Sequence, residues 1–144
     1  MKRKILISFL IMFLFLALTG CGMVAPGLPA WMVAEQTVWE YWKAIINHQY
    51  ELAKWYCITG GIWYNKVDEW EEYININSEG EASVVIYGPS FYEQSEAIGN
   101  NAVVYATIVT DITAFPGDYI HEGGLFKYDI ELVKIFPSGD WKLK

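Results

Sequence analysis

The chain has 144 residues, is 53% hydrophobic and 17% aromatic, and carries a formal net charge of −7. Its length supports one core rather than two. The acidic balance, with no basic patch beyond the first four residues, disfavours nucleic acid as a partner. No Cys/His pair has metal-ligand spacing, and no Gly-rich phosphate loop, Gly-x-Ser-x-Gly elbow or His-Glu-x-x-His motif occurs. Neither a metal nor a cofactor is therefore expected.

In chain order, Lys2-Arg3-Lys4 opens a positive segment, and Ile5 to Leu18 is apolar except for Ser8. A stable membrane span needs roughly 20 apolar residues, so this run is short for a span and suits the apolar region of a secretory signal. It ends in Leu18-Thr19-Gly20-Cys21, which resembles the lipobox of bacterial lipoproteins. That resemblance implies cleavage before Cys21 and lipid attachment to its sulfur. Residues 1–20 are then a signal peptide, 21–34 the lipidated cysteine and a flexible tether, and 35–144 a single domain. The implied location is the cell envelope, on the extracytoplasmic side of the cytoplasmic membrane or on the outer membrane. Gly22 leans towards the outer membrane where the cell has one. Loss of residues 1–20 removes three positive charges and no acid, leaving seven basic against 17 acidic residues, a net charge of −10. With Cys21 acylated, Cys57 has no disulfide partner; its apolar surroundings, Leu52 to Cys57, suit a buried thiol acting as a small hydrophobe.

Pro26, Gly27 and Pro29 give the segment from Gly22 to Ala30 the composition of a tether. Thr37 and Glu40 have the spacing of a capping box, and Val38, Tyr41, Trp42, Ile45 and Ile46 then form a helical stripe. A second, shorter helix is expected over Glu51 to Cys57, with Leu52, Ala53 and Tyr56 on one side, ending at Thr59-Gly60-Gly61. A third runs from about Lys66 to Ile74 and buries Val67, Trp70 and Ile74. After Gly80 the period changes to 2. Strands are expected over Ala82–Tyr87, with Pro89 at an edge or end, then Ala102–Ala114, Leu125–Phe136 and Trp141–Lys144. Gly99-Asn100-Asn101 and Pro137-Ser138-Gly139-Asp140 read as turns, and Phe115 to Gly124 as a loop. Helices followed by consecutive strands mean an α+β fold, with the N-terminal helices packed on a curved antiparallel sheet.

Two stretches carry a family likeness. QTVWEYWKAIINHQYELA, residues 36–53, looks like the opening helix pair of nuclear transport factor 2-like proteins: an aromatic-rich helix, a polar turn, then a tyrosine opening the next helix. IELVKIFPSGDWKL, residues 130–143, looks like the last hairpin of that superfamily, with a tryptophan after a Gly-acid turn. The turn between the helices usually reads Gly-Asp, where this chain has His48-Gln49. The resemblance spans roughly residues 35–144 and implies a cone with a pocket at its wide end. It also implies frequent dimerisation through the outer face of the sheet. Members include enzymes and non-catalytic partner-binding modules.

Seven tryptophans and ten tyrosines are unusual for this length. Large rings fill a small core efficiently, or line an apolar cavity. Trp42, Trp63, Trp70 and Tyr128 are the candidates for lining one. Enzymes of the superfamily hold an Asp, His or Tyr inside the cone as acid or base, which directs attention to Asp111, His48, His121 and several tyrosines. Alternation places Val104, Ala106, Ile108 and Ile112 inward, so Asp111 faces out. His48 falls in a solvated turn, and Asp118, His121 and Glu122 share a polar loop. On the outer face, Val103, Tyr105 and Val109 are apolar, whereas Lys127, Asp129 and Glu131 are charged. The favoured expectation is a tethered, non-catalytic binding or interaction domain. Its partner is another envelope protein, a small apolar ligand in the cone, or a second copy docked through the sheet. The alternative is a small isomerase, dehydratase or hydrolase using an ionisable residue in the cone.

Overall fold

A computed structural model describes residues 27–78, 82–114 and 123–144. The segment 1–20 expected as a signal peptide, Cys21 and the Asp118/His121/Glu122 loop lie outside the described residues. Three helices, α1 (Ala30–Ile46), α2 (Tyr50–Trp55) and α3 (Ile62–Asn77), precede five strands: β1 (Ala82–Phe91), β2 (Glu96–Ile98), β3 (Asn101–Ala114), β4 (Gly124–Ile135) and β5 (Asp140–Leu143). The architecture is α+β, with the helices packed on a strongly curled antiparallel sheet that forms a half-barrel. Among the described residues no helix is long and apolar enough to cross a membrane.

Helix α1 begins earlier than the capping-box spacing suggests. Pro29 precedes it, and the Pro29 carbonyl accepts the N–H groups of Met32 and Val33. Residues 30–34, expected in the tether, form its first turns, and Ala34 is fully buried. Thr37 is consequently internal: its hydroxyl donates to the Val33 carbonyl, and Glu40 accepts from the Gln36 amide instead of reaching back to a cap. The buried stripe Ala34, Val38, Tyr41, Trp42 and Ile45 follows helical spacing and faces the sheet.

The stop after α1 has a clear mechanism. His48 takes a left-handed backbone (φ 56°), the Gln49 N–H donates to the Ala44 carbonyl at 2.8 Å, and the His48 N–H donates to the Ile45 carbonyl at 3.0 Å. This pair of bonds is a Schellman closure, a position at which glycine is the usual residue. Helix α2 is short and half-exposed; Ala53 is buried, but Leu52, expected inside, is 44% exposed. Helix α3 extends beyond its expected ends at both termini and buries Trp63 as well as Val67, Trp70 and Ile74.

The sheet order is β1-β3-β4-β5, and β2 pairs with β3 on the same edge as β1. Strand β1 does not stop at Tyr87. It passes Gly88-Pro89 with a change of register and resumes pairing at Ser90↔Thr107. Gly88 has φ +117°, and a Cβ there would lie 2.9 Å from the Thr107 carbonyl oxygen. The irregularity therefore depends on glycine at that point. Strand β5 is held on both sides. It pairs with β4, and its Leu143 N–H and carbonyl bond Tyr56 O and Ile58 N of the connection between α2 and α3. Residues Ala102, Val104, Ala106, Ile108 and Thr110 of β3, with Ile130 and Leu132 of β4, point inward and are buried.

Candidate functional site

The inner space between helices and sheet is occupied by rings. Trp42 on α1, Trp63 and Trp70 on α3 and Tyr128 on β4 meet there. Trp42 lies 5.1 Å from Trp70, 6.4 Å from Trp63 and 6.0 Å from Tyr128, centroid to centroid, and Trp63 lies 5.1 Å from Tyr128. Tyr41, Tyr73 and Phe126 extend the cluster. Edge-to-face geometry dominates, as ring quadrupoles favour. The sequence placed these four side chains as lining; the fold brings them together by packing them on one another. Trp42 is fully buried, and Trp63 and Trp70 are each 5% exposed.

The polar atoms of this interior are mostly paired. The Tyr41 hydroxyl donates to the Trp63 carbonyl at 3.4 Å, and Tyr73 and Thr110 share a hydroxyl contact at 3.2 Å. The Thr110 hydroxyl also accepts the Gly124 N–H. Trp42 Nε1 is the buried side-chain donor without a partner among the described residues. Burial raises the Tyr41 and Tyr128 hydroxyls above their ordinary range, so both stay neutral at physiological pH. The only described buried residues of polar type are Ser95 and Thr110, and no acid, His or Lys joins them.

The titratable candidates stand elsewhere. His48 is exposed at the end of α1, with Nδ1 2.9 Å from the Tyr50 hydroxyl. Both lie in an open surface concavity of about 400 Å³ with Gln49, Glu51, Leu52 and Glu71. Burial, then the Glu71 charge, raises Tyr50. Asp111 sits on the odd face of β3, opposite Val85 of β1. Among the described residues no three His, Cys, Asp or Glu side chains are placed to hold a metal. Cys57 is buried beside Leu143, and burial pushes its thiol up to about 12. A thiol so shielded is a poor nucleophile.

The outer sheet face carries a second cluster that alternation only partly foretold. Tyr87, Val109 and Leu125 are in direct register across β1, β3 and β4, with Val85 two residues along β1 on the same face. Tyr87 is 53% and Leu125 65% exposed. Beside them the Tyr92 hydroxyl donates to Asp129 at 2.7 Å, and Lys127 lies 5.3 Å above the Tyr92 ring. The hydrogen bond to Asp129 pushes Tyr92 up to about 12. Sequence reasoning reached Tyr105, Val109 and the charged side of β4 but missed Tyr87, Leu125 and Tyr92. Their adjacency depends on register across three strands, which no local pattern encodes.

No protein-family model matches the chain, and no curated protein matches it in sequence.

Proposed function

We propose that the chain is a lipid-anchored protein of the bacterial envelope whose domain is a nuclear transport factor 2-like cone. In this reading it serves as a non-catalytic interaction module. The observation that carries it is the interior: rings from Trp42, Trp63, Trp70 and Tyr128 pack where a catalytic cone would hold an acid or base. That packing also favours a partner on the outside over a small apolar molecule within.

The contact surface is the outer sheet face, and the partner is a second copy of the chain. The Tyr87–Val109–Leu125 row gives an apolar strip across three strands of the outer face, and a two-fold arrangement lets the strip meet itself. The lipobox-like Leu18-Thr19-Gly20-Cys21 supports the anchor. A single acyl chain holds only marginally, whereas several chains hold firmly.

The test is mass spectrometry of the protein isolated from membranes, combined with a photo-crosslinking residue at position 125. The expected result is an acylated N-terminal Cys21 and a crosslinked homodimer. An unmodified thiol at Cys21 with the initiator methionine retained overturns the anchor. Crosslinking that gives only monomer overturns the self-association.

A further inference from the structure

We propose that the end of the domain carrying Leu28, Ile98 and Phe136 rests in the headgroup layer of the bilayer that anchors the chain. The inference rests on acylation of Cys21, as read above.

These three residues come from distant parts of the sequence, and their segments lie at one end of the fold. Leu28, just before α1, lines a concavity with Lys134, Ser138, Gly139 and Asp140, which belong to the end of β4, the following turn and the start of β5. Phe136 begins that turn. The Lys134 N–H donates to the Asn100 carbonyl at 2.9 Å, which ties the β2–β3 turn, and Ile98 with it, to the same end. All three side chains are open to solvent: Ile98 is 79%, Phe136 66% and Leu28 46% exposed. Turns and their flanks are ordinarily polar; here a bare isoleucine ends β2 beside one turn and a bare phenylalanine opens another.

The length of the connection says which surface lies opposite. Eight residues separate Cys21 from Ala30. Fully extended they reach about 30 Å, at ~3.5 Å per residue; as a relaxed coil their ends lie roughly 16 Å apart. The acylated sulfur sits at the membrane, so the start of α1 is held within that distance of it. The opposite end of the sheet, near Thr110 and Gly124, is nine residues further along β3 from Asn101. At about 3.4 Å per residue this is roughly 30 Å along the strand, a separation that the curl of the sheet shortens but does not remove. The apolar tips are thus on the near side.

Charge points to the same kind of contact. The mature protein is strongly acidic, and at this end Lys134 and Lys144 stand among Asp140, Glu96 and Glu131, the last 3.4 Å from Lys144. Attraction to anionic headgroups is therefore not the driver, and neutral lipid suffices. Two or three apolar side chains would not retain the protein without its acyl chains. They orient a domain that the anchor already holds.

The test uses the full acylated lipoprotein in phosphatidylcholine vesicles, with one cysteine introduced per variant and labelled with a nitroxide. Cys57 is buried and the Cys21 sulfur is in a thioether, so the label goes to the new site. The sites are I98C and F136C at the near end, with I76C and L125C as controls that are themselves 58% and 65% exposed apolar positions in the native chain. The readout is the ratio of oxygen to nickel-chelate accessibility, which rises with depth in the bilayer. The expected result is a several-fold higher ratio at 98 and 136 than at 76 and 125. A protein contact at 125 lowers access of both reagents and leaves their ratio little changed. Equal ratios at all four sites, or the higher ratio at the controls, overturn the docking while leaving the anchor intact. An unmodified Cys21 in the same preparation removes the anchor and the docking together.

Discussion

The indole of Trp42 stacks on the ring of Tyr128 across the interface between α1 and β4, with centroids 6.0 Å and planes 25° apart. It is also edge-on to Tyr41, Trp63 and Trp70. Trp42 is thus the shared contact of both long helices and the sheet. Trp42→Ala is expected to destabilise by about 3–5 kcal/mol, the usual cost of emptying a buried aromatic site. Trp42→Phe removes the unpartnered Nε1–H as well as ring volume. Relief of that unpaired donor offsets part of the lost packing, so a cost of only about 1 kcal/mol is expected. Urea unfolding midpoints for the two variants check both values.

His48 closes α1 in a left-handed conformation that an L side chain adopts at some cost. His48→Gly is expected to stabilise the fold by about 0.5–1 kcal/mol, and His48→Val to destabilise it by at least as much. Comparison of thermal midpoints tests the pair. Loss of stability in the glycine variant would mean that the Tyr50 contact outweighs backbone strain.

Burial raises the Cys57 thiol from an ordinary 9.0 to about 12, with nearby Lys142 pulling the other way. The folded state then holds this proton where the unfolded state releases it. The associated stability is complete below about pH 9 and is lost as pH rises towards about 12. Tyr41 shifts in the same direction. Denaturation curves are expected to show falling stability across that alkaline window, and Cys57→Ala should flatten the decline. In the native state at pH 8, iodoacetamide is expected to leave Cys57 largely unmodified, with rapid modification on unfolding.

The Tyr87–Val109–Leu125 row makes a separate prediction. On the self-association proposed above, Tyr87→Glu with Leu125→Glu is expected to shift the protein isolated in detergent from dimer to monomer by sedimentation velocity. Unfolding midpoints measured on the monomeric species should move by no more than about 0.5 kcal/mol per site, because both side chains are solvent-facing in one copy. An unchanged sedimentation coefficient would exclude this strip as the contact.

Much of the architecture was readable from pattern alone. The switch from period 3.6 to period 2 after Gly80 separates helices from strands. Alternation in β3 and β4 correctly assigns Val104, Ala106 and Ile108 inward and Lys127, Asp129 and Glu131 outward. Local chemistry was less dependable at the ends of elements. Thr37 and Glu40 have capping spacing, yet the apolar contacts of Val33 and Ala34 extend the helix past them. Leu52 belongs to an apolar stretch but falls on the open side of a six-residue helix. The three-residue strand β2 carries too short a pattern to be seen, and it exists because β3 offers it an edge.

The candidate surfaces divide along the same line. Period and composition depend on neighbours a few residues away, so helix faces, strand faces and an aromatic surplus follow directly from residue order. Whether those rings line a cavity or fill it depends on how Trp42, Trp63, Trp70 and Tyr128 approach one another from three separate elements. The gathering of Leu28, Ile98 and Phe136 at one end likewise depends on chain closure over tens of residues. Such distances are set by packing and strand register, which long-range contacts decide and local sequence does not.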